Sequence, residues 1–298
     1  MLLFADVVNY GSYTKAANKR HISRSVVSKQ ISKLELELDV RLFHRTTRSL
    51  SLTEIGKIVF QQALKIRKNL EETQALLEIG QQKIQGLLRI TCPSHFGFLH
   101  IQPIVYRFMK DYPDIQVELS FENRYIDIVA EGIDLAIRIT HPKDSNLIAL
   151  KLADNPVKMI ASVDFTEQYG LPENIYDLKN HPCVVYSAEG VLVDHWQYYE
   201  GKKVQSIKVN PVFLTNDGNT LLESVKAGIG IGLLADFMLG DSIKKKELIM
   251  ILPETSLVPY SPIYAMYSSR EYLPPKLAVF LEYLKKFIGK PPYWKIQL

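Results

Sequence analysis

Through its first eighty positions the chain repeats apolar residues at helical spacing, and after them at strand spacing. Residues 2–9 predict a short helix with Phe4 and Val8 on one side, ended by Asn9–Tyr10–Gly11. Ser12 is suited to cap a second helix, YTKAANKR, in which Ala16 and Ala17 are small enough to let another helix cross closely. Ser23 is suited to cap a third helix running to about Leu38, where Asp39 stops it. Val27, Ile31, Leu34 and Leu38 follow at spacings of four, three and four, which predicts one buried stripe. At about 100° per residue, Ser25, Ser28, Lys29 and Ser32 fall in an arc opposite that stripe, with Arg24 near the helix start and Lys33 at the arc's edge.

The next stretch, VRLFHRTTRSLSLTEIG, predicts a hairpin with strands around Arg41–Phe43 and Ser49–Leu52 and a tip at 45–48. Three short helices and a hairpin predict a winged helix-turn-helix over residues 1–58. Its second motif helix would lie in the major groove. The candidate DNA-contacting residues are Ser23, Arg24, Ser25, Ser28, Lys29, Ser32 and Lys33, with Arg45 and Arg48 on the wing reaching phosphate or the minor groove. Thr53 then caps a long helix to about Gly80. In it Val59, Ala63, Ile66, Leu70, Thr73 and Leu77 keep a 4-3-4-3-4 spacing, which predicts a dimerising linker helix over 59–86.

Past Gly86 the pattern changes to strands and helices in alternation, including LLRITC, FLHIQPIVYRFMKDY, IQVELSF, RYIDIVAEG read as a helix, and IDLAIRIT. The fold expected for 87–298 is a pair of α/β lobes with parallel sheets, of periplasmic-binding-protein type. Lobe I is expected over 87–162 and 266–298, and lobe II over 163–265. Ligands of open α/β sheets sit at the carboxyl ends of strands. That rule, with helix N-termini favouring anions, selects Ser94, His95, Phe96, Arg138, Asn216 and Asp217 as effector-binding candidates, and Tyr198 is added to them. A small anionic effector is expected, with Arg138 as its cation.

Charge sharpens the first of these two pictures. Residues 1–80 hold 13 Lys+Arg against 8 Asp+Glu, a net of +5 out of the chain's +4, so the remainder carries −1. A basic module on a nearly neutral body predicts a polyanionic partner. Only Cys92 and Cys183 are present, which suits a reducing cytosol, and no signal segment or membrane span is evident, so a cytoplasmic protein is expected. Cys92, His95 and His100 lie close in sequence but lack a fourth ligand. GIGIG, 228–232, lacks dinucleotide-binding spacing, and no nucleophile elbow occurs. No cofactor, metal or catalytic residue is expected.

The stretch GSYTKAANKRHISRSVVSKQISKLELELDVRLFHRTTRSLSLTEIG, Gly11 to Gly56, resembles the LysR-type transcriptional regulators. The likeness continues through FENRYIDIVAEGIDLAIRI and FLTNDGNTLLESVKAGIGIGLL. It implies a sequence-specific regulator of nearby genes, a homodimer or homotetramer on promoter DNA, a small-molecule effector, and contact with RNA polymerase. Two departures stand out. Arg24–Ser25 replaces the family's common Gln-Pro, and the chain is expected to start a few residues short. The competing readings are a solute-binding protein, since two lobes closing on a ligand serve capture equally well, and an enzyme carrying a DNA-binding domain.

Overall fold

The computed structural model describes residues 1–44, 50–81, 84–124, 126–142, 147–188, 191–268 and 273–295. The chain divides into two compact units. One comprises Met1–Ile84 with Ile126–Asp134 and Ser268–Ala278, and the other comprises the remainder.

The first unit opens with α1 (Leu2–Asn9), α2 (Tyr13–Lys19) and α3 (Arg24–Glu37). The Ser12 and Ser23 hydroxyls accept from the backbone amides of Lys15 and Val26, as their sequence positions predict. Phe4, Ala16, Ala17, Val27, Ile31, Leu42 and Ala63 are buried in one core. Phe4 meets Phe43 edge to face at 5.4 Å. The buried stripe of α3 is shorter than expected. Leu34 is half-buried, and Leu38, the C-cap residue, is 43% exposed.

The root of the wing is pinned by side chains. Glu35 accepts from the amides of Leu42 (2.7 Å) and Phe43 (3.3 Å) and pairs with Arg41. Thr53 Oγ1 donates to Arg41 O and accepts from Gly56 N, starting α4 (Glu54–Gln81). A Cβ on Gly56 would lie 2.1 Å from Leu42 O, so only glycine lets α4 approach the wing so closely. Phe43 bridges Leu52, with His44 N donating to Ser51 O, while Arg45 and Arg48 lie outside the described residues.

The apolar seam of α4 divides. Ala63 is buried and Val59 half-buried against the unit's own core, whereas Ile66, Leu70 and Thr73 are exposed, and the Leu77 side chain lies outside those described. No helix forms among the described residues of RYIDIVAEG. Asp127 Oδ1 instead accepts from Val129 N and Ala130 N, closing a turn that ends at left-handed Gly132.

The second unit begins with β1 (Gly86–Cys92), a short helix α5 (Ser94–Phe96), a π-helical turn (Gly97–Ile101) and α6 (Gln102–Asp111). Then come β2 (Ile115–Phe121), β3 (Leu135–Ile139), β4 (Ile148–Asn155), β5 (Val157–Ser162), α7 (Val163–Tyr169) and β6 (Pro182–Ala188). The chain continues with β7 (Val191–Leu192), β8 (His195–Glu200), β9 (Lys203–Lys208), β10 (Asn210–Thr215), α8 (Gly218–Lys226) and β11 (Ile231–Ala235). It closes with α9 (Asp236–Leu239), β12 (Leu248–Met250), β13 (Tyr260–Tyr267) and α10 (Pro275–Ile288).

Two large sheets result, in strand orders β2-β1-β3-β13-β4 and β10-β6-β11-β5-β12, with β7 paired to β6 and β8 and β9 forming a separate two-stranded sheet. Neither is wholly parallel, contrary to expectation. The returning strand β13 runs antiparallel to β3 and β4, and β5 runs antiparallel to β11 and β12. Because β4 belongs to one sheet and β5 to the other, the chain changes lobes at Pro156, and it returns with β13. Both crossings come about six residues earlier than the sequence pattern placed them, since apolar β5 reads as a continuation of lobe I.

Candidate functional site

Two regions carry candidate chemistry. On α3 the residues Ser23, Arg24, Ser25, Ser28, Lys29, Ser32 and Lys33 are all exposed, while Val27 and Ile31 behind them are buried. Ser23 has a local role as well: besides capping the helix, its hydroxyl shares a 2.8 Å hydrogen bond with Ser25. Lys33 pairs across a helical turn with Glu37 at 3.7 Å. Arg24 and Lys29 form no ion pair among the described residues, which leaves two cations and Ser28 on one uncovered face. Such a face offers hydrogen-bond donors with little to disrupt on engagement.

The second region is a cavity of about 480 Å3 within the two-lobed unit. Its wall contains Pro93, His95, Phe96, Asn123, Ile139, Asn155, Tyr186 and Val193, together with Gly218, Leu221, Leu233, Ala235, Phe237, Met238, Tyr260 and Ser261. Of the residues selected from the sequence, His95 and Phe96 line it. Asp217 stands beside the wall residue Gly218, whose missing Cβ lets His95 pack at a distance where that Cβ would be 3.0 Å from it. Ser94 is turned to Asn123, donating from N (3.0 Å) and Oγ (3.3 Å) to Oδ1.

The other three expected residues are not in the cavity wall. Arg138 donates to Glu122 O, Ile137 O and Thr91 Oγ1, so its guanidinium is occupied along its own sheet. Asn216 is exposed. Tyr198 lies on β8, hydrogen-bonded to Tyr176, and β8 carries it into a two-stranded sheet with β9. Asn155, Tyr260 and Ser261 were missed from the sequence. They lie where the chain crosses between lobes, so their signal was the crossing itself, marked by Asn155–Pro156.

Among the described residues no cluster of His, Cys, Asp and Glu could hold a metal. Burial pushes the Cys92 thiol up to about 12, as expected of a core cysteine that stays protonated. His100 is held neutral, its pKa pushed down to about 4 by burial, against the raising effect of its bond to Phe237 O. A carbonyl only accepts, so Nε2–H donates to Phe237 O (3.0 Å) and Nδ1 accepts from Tyr293 O–H (2.6 Å). His95 also has a lowered pKa, burial outweighing the nearby carboxylates of Asp217 and Glu223. Its Nε2 is buried with no hydrogen-bond partner among the described residues.

Comparison with known proteins joins the two regions. Residues 1–57 match the model of the bacterial regulatory helix-turn-helix protein, lysR family, and residues 81–288 match the LysR substrate binding domain. An uncharacterized HTH-type transcriptional regulator of Haemophilus influenzae is 35% identical, covering 92% of this chain and 95% of that protein. The HTH-type transcriptional activator AaeR of Escherichia coli is 32% identical, covering 97% and 94%. The full-length Vibrio cholerae virulence activator AphB superposes with a TM-score of 0.66 at 26% identity, covering 96% of this chain and 97% of that one. LysR-type regulators bind promoter DNA and small-molecule effectors and form oligomers. From end to end, this chain belongs to the LysR-type transcriptional regulator family.

Proposed function

We propose that the protein is a cytoplasmic, sequence-specific regulator of transcription. In this reading α3 enters the major groove, Arg24, Ser25, Ser28 and Lys29 read base edges, and Ser32 and Lys33 hold the backbone. Exposed Ile58, Ile66 and Leu70 on α4 support pairing with a second copy, in a homodimer or a homotetramer. Occupancy of the cavity then alters the arrangement of the DNA-binding domains in that oligomer, changing promoter occupancy and its contact with RNA polymerase. The observation that carries the reading is the uncovered cationic and hydroxyl face of α3, backed by buried Val27 and Ile31.

Relatives matched over nearly the whole chain are transcription regulators, which favours this reading over a solute-binding protein or an enzyme. The expectation of an anionic effector keeps less support, because Arg138 does not line the cavity. A gel-shift titration with the intergenic DNA beside the protein's own gene, at about 0.15 M salt, tests the function. Retention of that fragment against excess random DNA is expected, whereas equal affinity for both would contradict specific regulation there.

A further inference from the structure

The described wall of the cavity contains no lysine, arginine, aspartate or glutamate, and most of it is aliphatic or aromatic. Several of its polar groups already have partners. Tyr260 O–H donates to Leu233 O, Asn155 Nδ2 donates to Ser261 O, and Asn123 Oδ1 accepts from Ser94. The feature that would attract an anion is the N-terminus of α8 at Gly218, yet a carboxylate already sits there. Asp217 Oδ1 accepts from Thr220 N (2.8 Å) and Thr220 Oγ1 (2.9 Å), so its charge occupies the helix end. A carboxylate entering this space would lose its hydration and gain no cation from the described wall, an unfavourable exchange. An apolar body would gain from burial, and the volume lies within the roughly 300–1,000 Å3 of small-molecule sites. His95 adds a buried ring nitrogen with no partner among the described residues, on a side chain only 8% exposed.

Taking the cavity as the effector site proposed above, we propose that it selects an uncharged, largely apolar small molecule with one hydrogen-bonding group directed at His95, and discriminates against carboxylates of the same shape. Asp217 enforces that choice by occupying the end of α8 and repelling a second negative charge.

Calorimetry on the full-length protein at neutral pH tests this with three matched pairs: benzamide and benzoate, phenylacetamide and phenylacetate, and indole-3-acetamide and indole-3-acetate. The expected result is that at least one amide binds at least about tenfold more tightly than its carboxylate. That binding should be lost when the half-buried wall residue is enlarged in Val193→Trp, and weakened about tenfold in His95→Phe. Ser261→Leu, which leaves the backbone carbonyl that Asn155 uses, replaces Val193→Trp if that variant does not fold. A carboxylate that binds at least as tightly as its amide, and is lost on enlarging the wall, overturns the ligand class while retaining the cavity as the site. Amide binding unchanged by either wall variant overturns the site itself, and failure of all three amides to bind overturns the proposed class.

Discussion

The outer face of α3 and the wall of the cavity are built by opposite means. One 14-residue helix supplies the first, and the side chains proposed to read DNA are all exposed on it. The second draws on segments from Pro93 to Ser261, and many of its residues, such as Phe96 and Ala235, are also core. Function and stability are therefore separable on α3 and entangled in the cavity. A reading surface of exposed side chains can change its specificity at little structural cost, whereas a cavity residue cannot be replaced without touching the fold.

The most forceful way to break this contrast is to strike beneath the α3 face. Ile31→Asp places an unpaired carboxylate where the side chain is 3% exposed, and a loss of roughly 4 kcal/mol or more is expected. Urea titration followed by circular dichroism should show the DNA-binding unit unfolding in water or at very low denaturant. A near-native midpoint would mean that α3 is not anchored as described.

Proton linkage tests the entangled region. Folded His100 stays neutral down to about pH 4, while the unfolded chain protonates it near the ordinary histidine value of about 6.5. Between those values the unfolded state binds more protons, so stability falls as pH drops from 6.5 to 4, by about 3 kcal/mol at most for this group. Above 6.5 it adds no slope. Thermal melts across that window should show a shallower decline in His100→Phe than in the parent, and equal slopes would deny the buried neutral imidazole its role.

Next in size is Gly56→Ala. Its Cβ would meet backbone Leu42 O at 2.1 Å, so α4 and the wing root must separate, at about 1–3 kcal/mol. The DNA-binding unit's melting temperature should drop while ligand binding by the other unit persists.

The contrast also explains what could be read from the sequence. A helix repeats every 3.6 residues, so Ser23 as cap, Val27 and Ile31 as anchors and the polar arc of α3 were all visible in the order of residues. Leu38 was misplaced in the stripe because periodicity does not show how far along a helix its neighbours extend to cover it. Val59 and Ala63 were assigned to an intermolecular seam because a 4-3-4 spacing suits an internal partner equally well. Glu35 gave no signal: its bonds to the amides of Leu42 and Phe43 depend on how the chain turns between them. In the cavity, the strand-end rule points to His95 and Phe96, and both line the wall. Arg138 and Tyr198 lie away from the wall, since proximity to a strand end does not say which way a side chain faces. The antiparallel return of β13, which brings Tyr260 and Ser261 to the wall, depends on a pairing more than a hundred residues distant from β4.

The smallest expected energetic effect gives the most direct test. Lys29→Ala removes an exposed cation that has no ion-pair partner among the described residues. Fluorescence anisotropy on the intergenic DNA, measured beside thermal melting of the same sample, should show affinity for the specific fragment weakened about tenfold with the melting temperature unchanged. Undiminished affinity in a folded Lys29→Ala protein would contradict the assignment of the α3 face to DNA reading.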